Sequence, residues 1–165
     1  MNSSKLKTII KNIFIHHKLS KEHATICAEA IINAELVGAP SHGLSRLKMY
    51  CDRISKKVIN PKAKIKIKKI SQSIAHVDAN NSIGFVAADI AIKTAISNAK
   101  KTGIGLVAVK NSGHYGLSGY YAEQAVKKKF NGYGIYQCTT SCCTSWSIKK
   151  FIWNKPNLLW NSNRI

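Results

Sequence analysis

A short apolar run, followed by a glycine-flanked turn and a helical pattern, constrains the fold of this chain more than any other feature. Ile104–Val109 has the length and composition of a short buried strand, and Leu117–Lys128 repeats apolar residues at helical spacing. Asn111–Gly116 lies between them and holds His114 in a turn. This order of strand, turn and helix is typical of α/β proteins, so we expect an α/β fold.

The first part of the chain carries helical patterns. Ser4–Leu19 has apolar residues at helical spacing, and Ser20 offers an N-cap for a second helix that ends near Gly38. A third helix is expected to follow Pro40 and to continue through Ile54. We therefore expect a helical N-terminal unit.

A hairpin and a long helix are expected next. A turn at Asn60-Pro61 precedes a lysine-alternating strand, and a second strand covers Ser73–Val77. Phe85–Lys101 repeats alanine and isoleucine at helical spacing, and Gly103 is suited to end that helix. The sequence thus predicts an N-terminal helical unit joined to a truncated α/β unit.

The composition changes abruptly after Lys128. All three tryptophans lie beyond it, and no Asp, Glu, Ala, Val, His or Met occurs from Lys129 onward. We divide the chain into a helical segment (1–60), the start of an α/β domain (61–128) and a tail (129–165) that does not resemble a sequence selected to fold.

A frameshift is our interpretation of this tail. One extra A in the lysine codons near residue 128 would shift the reading frame, and reading one base later turns every tryptophan codon into glycine. With permitted codon choices, the restored tail contains NLMVMGFTNAPPAVAPLG and LFGTNPISFGIP, which resemble a strand, a proline-rich loop and a turn. The alternative is a genuine lineage-specific tail that matches only through the freedom in choosing codons.

The net charge of +19 raises nucleic acid or an anionic membrane as partners. However, the lysines are spread along the chain, and no aromatic residue interleaves with the lysines of residues 62–69 as a stacking platform would require. We interpret that run as the solvated face of a strand, so nucleic acid is an unexpected partner.

No membrane contact and no metal are expected. No apolar run approaches the roughly 20 residues that span a bilayer, and the N-terminus lacks the apolar core of a signal peptide. A cytoplasmic location is expected by default. Cys138, Cys142 and Cys143 have no histidine partners and no paired CxxC spacing, which makes a zinc site improbable.

Two segments offer candidate site residues. His114 is flanked by glycines that allow close approach of a ligand, and imidazole can hold and return a proton near neutral pH. Arg46 could clamp a carboxylate, because a guanidinium donates two parallel hydrogen bonds. Ser41 and His42 are expected at a helix start, where free N–H groups favour an anion.

Each candidate also has a purely structural interpretation. His114 could bond only to the local backbone, and Arg46 could pair with Glu35 on the surface. Ser41 could be a simple N-cap. The glycines around His114 do not form a dinucleotide fingerprint, because the G-x-G-x-x-G spacing and a later acidic residue are missing.

These motifs resemble the malate/L-lactate dehydrogenase family of NAD(P)-dependent oxidoreductases, which is unrelated to the Rossmann dehydrogenases. Ureidoglycolate, sulfolactate and diketogulonate enzymes are among its members. The resemblance covers about residues 5–128 and rests on Ser41-His42-Gly43, Arg46, Tyr50, Asn111–Gly116 and Gly119–Ala122. It implies that His114 is the acid/base residue and that Arg46, His42 and Ser41 bind substrate.

The resemblance also implies the reaction. A nicotinamide cofactor, NAD or NADP, would exchange a hydride with a 2-oxo or 2-hydroxy acid such as malate, lactate or ureidoglycolate, in a homodimeric enzyme. Most of the cofactor pocket would be missing here, so we identify no cofactor-binding residue and expect a truncated, inactive chain. Two alternatives stay open: a small basic nucleic-acid-binding protein, and a non-catalytic fragment that acts as an assembly partner.

Overall fold

The computed structural model describes residues 2–134, so most of the predicted tail (129–165), with its cysteines, lies outside the described residues. The described part mixes helices with a small sheet, which confirms the α/β class. Its elements are α1 (Ser3–His16), α2 (Lys21–Leu36), two 3₁₀ turns (Pro40–His42 and Leu44–Arg46), α3 (Leu47–Ser55), β1 (Lys66–Lys69), β2 (Ile74–Asp78), α4 (Gly84–Thr102), β3 (Leu106–Lys110) and α5 (Ser118–Val126).

Side-chain caps define where the first two helices begin. The Ser20 hydroxyl accepts a hydrogen bond from the His23 N–H at 3.1 Å, which confirms the predicted N-cap of α2. Asn2 caps α1 in the same way through the Ser4 N–H. The two helices pack against each other, and α1 contributes Ile10 and Phe14 to the core.

The hydrophobic core lies between the helices. Its largest fully buried side chains include Phe14, Ile31, Tyr50 and Phe85, each 0% exposed. Burying side chains of this size stabilises the fold by roughly 1.5–3 kcal/mol apiece. Because Phe85 belongs to α4, this core extends across residue 60, where the sequence suggested a boundary; the division itself stays a prediction.

The sheet has the order β1-β2-β3. β1 pairs antiparallel with β2, so the predicted hairpin is confirmed. β3 pairs parallel with β2 in a register that places Leu106 beside Ile74. The long helix α4 makes the crossover between these parallel strands, and Gly103 ends it in the left-handed region with φ 78°, as predicted. Among residues 2–134 we find no helix that could span a lipid bilayer.

The expectation of a buried strand at residues 104–109 is wrong. β3 is mostly exposed, with Leu106 at 59% and Val109 at 40%. The apolar run does form the strand, but within residues 2–134 β3 has a single strand neighbour and much of its surface is uncovered. Burial depends on what packs against a strand, and the composition of the strand alone does not determine it. All four residues of β1 are exposed too, which agrees with solvated lysines.

Candidate active site

The turn that carries His114 is held by the ends of two strands. The Asn111 side-chain amide donates to the Asp78 carboxylate at 2.9 Å, and the Asn81 N–H donates to the Asn111 carbonyl at 2.8 Å. Asn111 adopts a positive φ of 52°, which asparagine tolerates better than most residues. These contacts direct the chain from β3 toward the start of α4.

The start of α4 lies directly against this turn. Gly84, the first residue of α4, has no space for a Cβ, because that atom would clash with the carbonyl oxygens of Gly113 and His114. On the other side, Gly116 adopts φ 80° and lies against the Phe85 ring. Close packing therefore fixes the backbone of the His114 turn on both sides.

The second candidate segment differs from its prediction. Ser41 and His42 were expected at the start of the third helix, but they lie in a 3₁₀ turn that a second such turn separates from α3 at Leu47. The predicted placement of these two residues at the start of the third helix is therefore wrong, and their role in binding an anion stays a prediction. The reason is local: Gly43 has φ −99° and ψ −133°, which interrupts the helix.

Glu35 holds this segment in place. Its carboxylate accepts the Leu44 N–H at 2.7 Å, and Gly43 lies so close to that carboxylate that a Cβ would clash with it. Arg46 donates its Nε–H to the Ser41 carbonyl at 2.9 Å, so the alternative of an Arg46–Glu35 surface pair is not what these side chains form. Glu35 instead stabilises the turn that carries the candidate residues.

Ser41 also differs from the simple N-cap that the sequence allowed. Its hydroxyl lies 3.1 Å from Nδ1 of His42. The N-cap position of that 3₁₀ turn belongs to Ala39, and it makes no side-chain hydrogen bond. Ser41 thus orients the neighbouring imidazole.

The fold brings the two histidine segments together. Nδ1 of His114 lies 2.6 Å from the Tyr50 hydroxyl, across 64 positions of sequence, and accepts the Gly116 N–H at 3.2 Å. The His42 and His114 rings stack with centroids 5.7 Å apart and planes inclined by 28°. His114 therefore bonds to more than its local backbone, and both histidines belong to one site.

The environment of His114 favours its neutral form. Partial burial lowers the pKa of His114 below its usual value, and the positive charges of His42, Arg46 and Arg53 lower it further. Arg46 thus acts electrostatically on His114, although its side chain is exposed. A cluster of positive groups around an imidazole is suited to an anionic ligand.

Among residues 2–134, no group of three or more His, Cys, Asp or Glu side chains is arranged to hold a metal ion. Cys138, Cys142 and Cys143 lie outside the described residues. The two described cysteines, Cys27 and Cys51, are free thiols, and burial raises the pKa of Cys27 well above its usual value. Neither therefore resembles a reactive thiolate.

A family model for malate/L-lactate dehydrogenase matches residues 1–156. The chain belongs to the malate/L-lactate dehydrogenase family. The match extends beyond the range of about 5–128 that the motifs suggested, and it continues past the change in composition at Lys129. A frameshift near residue 128 would be supported if the match ended there, and it does not.

Relatives within the family include enzymes for several acids. The chain is 39% identical over 114 residues to a malate/(S)-sulfolactate dehydrogenase of Methanothermus fervidus, covering 69% of this chain and 34% of the relative. It is 32% identical over 132 residues to an NAD(+) ureidoglycolate dehydrogenase of Escherichia coli K12, covering 80% and 38%. These matches confirm the predicted resemblance to sulfolactate and ureidoglycolate dehydrogenases.

A solved structure gives the same result for the fold. Malate dehydrogenase from Pyrococcus horikoshii OT3 superposes with a TM-score of 0.76 at 36% identity, over 78% of this chain and 37% of that enzyme. The family fold is thus present in the described part. The chain spans well under half the length of the family members that it matches.

Three contributors to the site were missed from the sequence. Tyr50 was noted only as part of a motif, and its place on the apolar side of α3 gave no sign of a bond to His114. Glu35 was considered only as a surface partner for Arg46. Gly84 gave no signal, because the carbonyls that it packs against belong to residues about 30 positions away in the sequence.

Proposed function

We propose that this chain provides the proton-transfer and carboxylate-binding side of an NAD(P)-dependent 2-hydroxyacid dehydrogenase. The observation that carries the proposal is the joining of the two motif segments, in which Tyr50 and His42 contact one imidazole, that of His114. A 2-oxo acid has a carbonyl oxygen that needs a proton and a carboxylate that needs a cation. The site contains a group for each.

His114 is the proposed acid/base residue. Its lowered pKa makes the imidazolium a stronger acid, which releases a proton more readily to the carbonyl oxygen. The carboxylate of a bound substrate would offset the nearby positive charges and favour protonation of His114. Substrate binding and proton uptake are therefore linked in this proposal.

Arg46 is the proposed carboxylate clamp. Its Nε–H is committed to the Ser41 carbonyl, and this bond fixes the direction of the guanidinium. Within residues 2–134 its terminal nitrogens form no hydrogen bond, so they are available for a carboxylate. The His42 ring stacks with that of His114, and Ser41 orients it.

The proposal includes a nicotinamide cofactor. When bound, NAD or NADP supplies or accepts the hydride. The described residues show no dinucleotide cradle at Gly119: outside its own helix, none of them has an atom within 4 Å of the place where a Cβ would be, whereas the fingerprint glycine at a helix start packs tightly. We therefore assign no cofactor-binding residue and no choice between NAD and NADP.

Activity would be tested on the protein read in the restored frame. We expect NADH or NADPH oxidation with at least one 2-oxo acid from a panel of pyruvate, oxaloacetate and larger analogues. The Arg46→Lys variant should raise KM more than it lowers kcat, since a point charge replaces a planar fork. Absence of turnover with every acid and both cofactors would end this proposal.

The frameshift, the homodimer and the cytoplasmic location have separate tests. Resequencing the genomic DNA across the codons for Val126–Asn131 gives one A fewer if the tail is an artefact. Light scattering on the restored protein gives twice the chain mass if it is a homodimer. Cell fractionation gives the location.

Nucleic-acid binding is the second candidate function, because the net charge is +19 and the lysines of β1 are exposed. It predicts affinity for duplex or single strands that falls steeply as salt increases. A titration of the full chain with labelled DNA that shows no salt-dependent binding would remove it.

A further inference from the structure

Two groups lie within hydrogen-bond distance of one nitrogen of His114. The Gly116 backbone N–H approaches Nδ1 at 3.2 Å, and the Tyr50 hydroxyl oxygen lies 2.6 Å from it. A backbone N–H can only donate, so in this arrangement Nδ1 presents its lone pair. The Tyr50 hydroxyl must then also donate to Nδ1, and the proton of neutral His114 resides on Nε2.

Tyr50 is placed to do this by packing. Its side chain is 0% exposed in the middle of α3, and its ring contacts the Phe85 ring with centroids 4.7 Å apart. A hydroxyl buried so completely needs a hydrogen-bond partner, and among residues 2–134 that partner is Nδ1 of His114. Burial raises the pKa of Tyr50, so the hydroxyl keeps the proton that it donates.

The other nitrogen of the ring is left for a ligand. Nε2 of His114 forms no hydrogen bond with any residue in the range 2–134, while the stacked His42 ring lies against one face of the imidazole. With Nδ1 bonded to both Tyr50 and Gly116, the ring has little freedom to turn. The orientation of Nε2 is thus determined by contacts at the opposite side of the ring.

We propose that Tyr50 is a positioning residue, whose hydroxyl together with the Gly116 N–H holds neutral His114 in the Nε2–H tautomer and presents Nε2 to the substrate. The catalytic meaning of this role rests on the proposed function. Unlike a backbone N–H, a hydroxyl can also accept a hydrogen bond. When His114 is an imidazolium, Nδ1–H donates to the Tyr50 oxygen, and the bond from the Gly116 N–H is lost.

The proton on Nε2 has a consequence for the resting site. Nε2–H can donate a hydrogen bond to the carbonyl oxygen of a 2-oxo acid, but it has no lone pair to take a proton from a 2-hydroxy acid. To act as a base, neutral His114 must first move its proton to Nδ1, against the Gly116 N–H. The resting network therefore favours binding of the oxidised substrate.

The test is a nitrogen NMR measurement on the full chain with ¹⁵N-labelled histidine, at about pH 8, where an ordinary histidine is neutral. The His114→Gln variant assigns the His114 signals among the six histidines. We expect Nδ1 at the unprotonated shift and Nε2 at the protonated shift. We also expect the Tyr50 hydroxyl proton to couple to Nδ1 across the hydrogen bond.

Two tyrosine variants separate positioning from general packing. Tyr50→Phe keeps the ring on Phe85 but removes the hydroxyl, and we expect the tautomer ratio of His114 to shift about fivefold toward Nδ1–H, the effect of one hydrogen bond of about 1 kcal/mol. Tyr120→Phe removes the hydroxyl of a partly buried tyrosine in α5 that has no bond to His114, and the ratio should stay unchanged.

An Nδ1–H tautomer in the wild-type chain, or an unchanged ratio in Tyr50→Phe, would overturn the proposal. If Tyr50→Phe does not fold, the test is the coupling between the Tyr50 hydroxyl proton and Nδ1 in the wild type. Absence of this coupling would overturn the positioning role of Tyr50. No substrate or cofactor is present in this measurement. Failure of the dehydrogenase assay with the expected tautomer would therefore reject the proposed function and leave the positioning role standing.

Discussion

The helices around the candidate site and the three-stranded sheet differ in how completely the described residues cover them. Tyr50 and Phe85 are 0% exposed, whereas Ile67 and Leu106 in the sheet are 54% and 59% exposed. His114 lies on the covered side, and its contacts to Tyr50, His42 and Gly116 all fall within the described part. The comparison teaches that the site depends on the helical core, while the sheet contributes mainly the direction of the chain.

The largest expected effect tests this difference directly. Phe85→Ala should lower the free energy of unfolding by about 3–5 kcal/mol, because it opens a cavity beside Tyr50. Leu106→Ala, on exposed β3, should change it by no more than about 0.5 kcal/mol. Urea unfolding of the two variants measures both values. Equal losses would show that the sheet is as well packed as the core.

A smaller effect is expected where α4 meets the His114 turn. Gly84→Ala should cost about 1–3 kcal/mol and displace His114, because the new methyl group clashes with the carbonyls of Gly113 and His114. Gly119→Ala is the matched control, since among the described residues nothing outside its own helix would contact the new Cβ. Thermal unfolding and the His114 NMR signals report both changes. A fully stable Gly84→Ala variant would show that the turn is not fixed by this contact.

The pH dependence of stability should reflect the lowered pKa of His114. Between this lowered value and the ordinary value of about 6.5, the unfolded chain binds more protons than the folded chain. The free energy of unfolding should therefore fall as the pH drops through about 6.5, and this contribution should level off below the folded pKa. His114→Gln should flatten that part of the profile, measured as urea midpoints. An identical profile in the variant would contradict the lowered pKa.

The smallest change in stability is expected for a substitution in the sheet, Leu106→Lys, which should also change the tendency of the protein to aggregate. Leu106→Lys should leave the free energy of unfolding within about 0.5 kcal/mol, because the side chain is 59% exposed. It should reduce aggregation, since a charge on an exposed strand at the edge of the sheet disfavours pairing with another chain. Light scattering over time at fixed concentration compares it with the wild type. Unchanged aggregation would show that the chains associate through a surface other than β3.

Local signals made much of the fold predictable. The Ser20 cap and the Gly103 terminus each depend on groups within a few residues, and both were found from the sequence. The hairpin was found because alternation and a turn mark it. The 3₁₀ turns at residues 40–46 were missed because the Gly43 backbone that interrupts the helix is held by the carboxylate of Glu35, which belongs to another helix.

Burial and site contacts could be predicted only in part. The apolar composition of β3 predicted a strand correctly but predicted its burial wrongly, because burial depends on what packs against it. The motifs identified His42 and His114, whereas their stacking and the Tyr50 bond across 64 positions come from tertiary packing. Periodicity does not report contacts at that separation.

The most direct test of the central claim is the effect of His114→Gln on turnover by the protein read in the restored frame. Glutamine keeps a polar side chain but cannot exchange a proton, so kcat for 2-oxo acid reduction should fall by about 10²–10⁴-fold. Tyr120→Phe should leave kcat unchanged. Retention of wild-type turnover in His114→Gln would contradict the assignment of His114 as the proton donor.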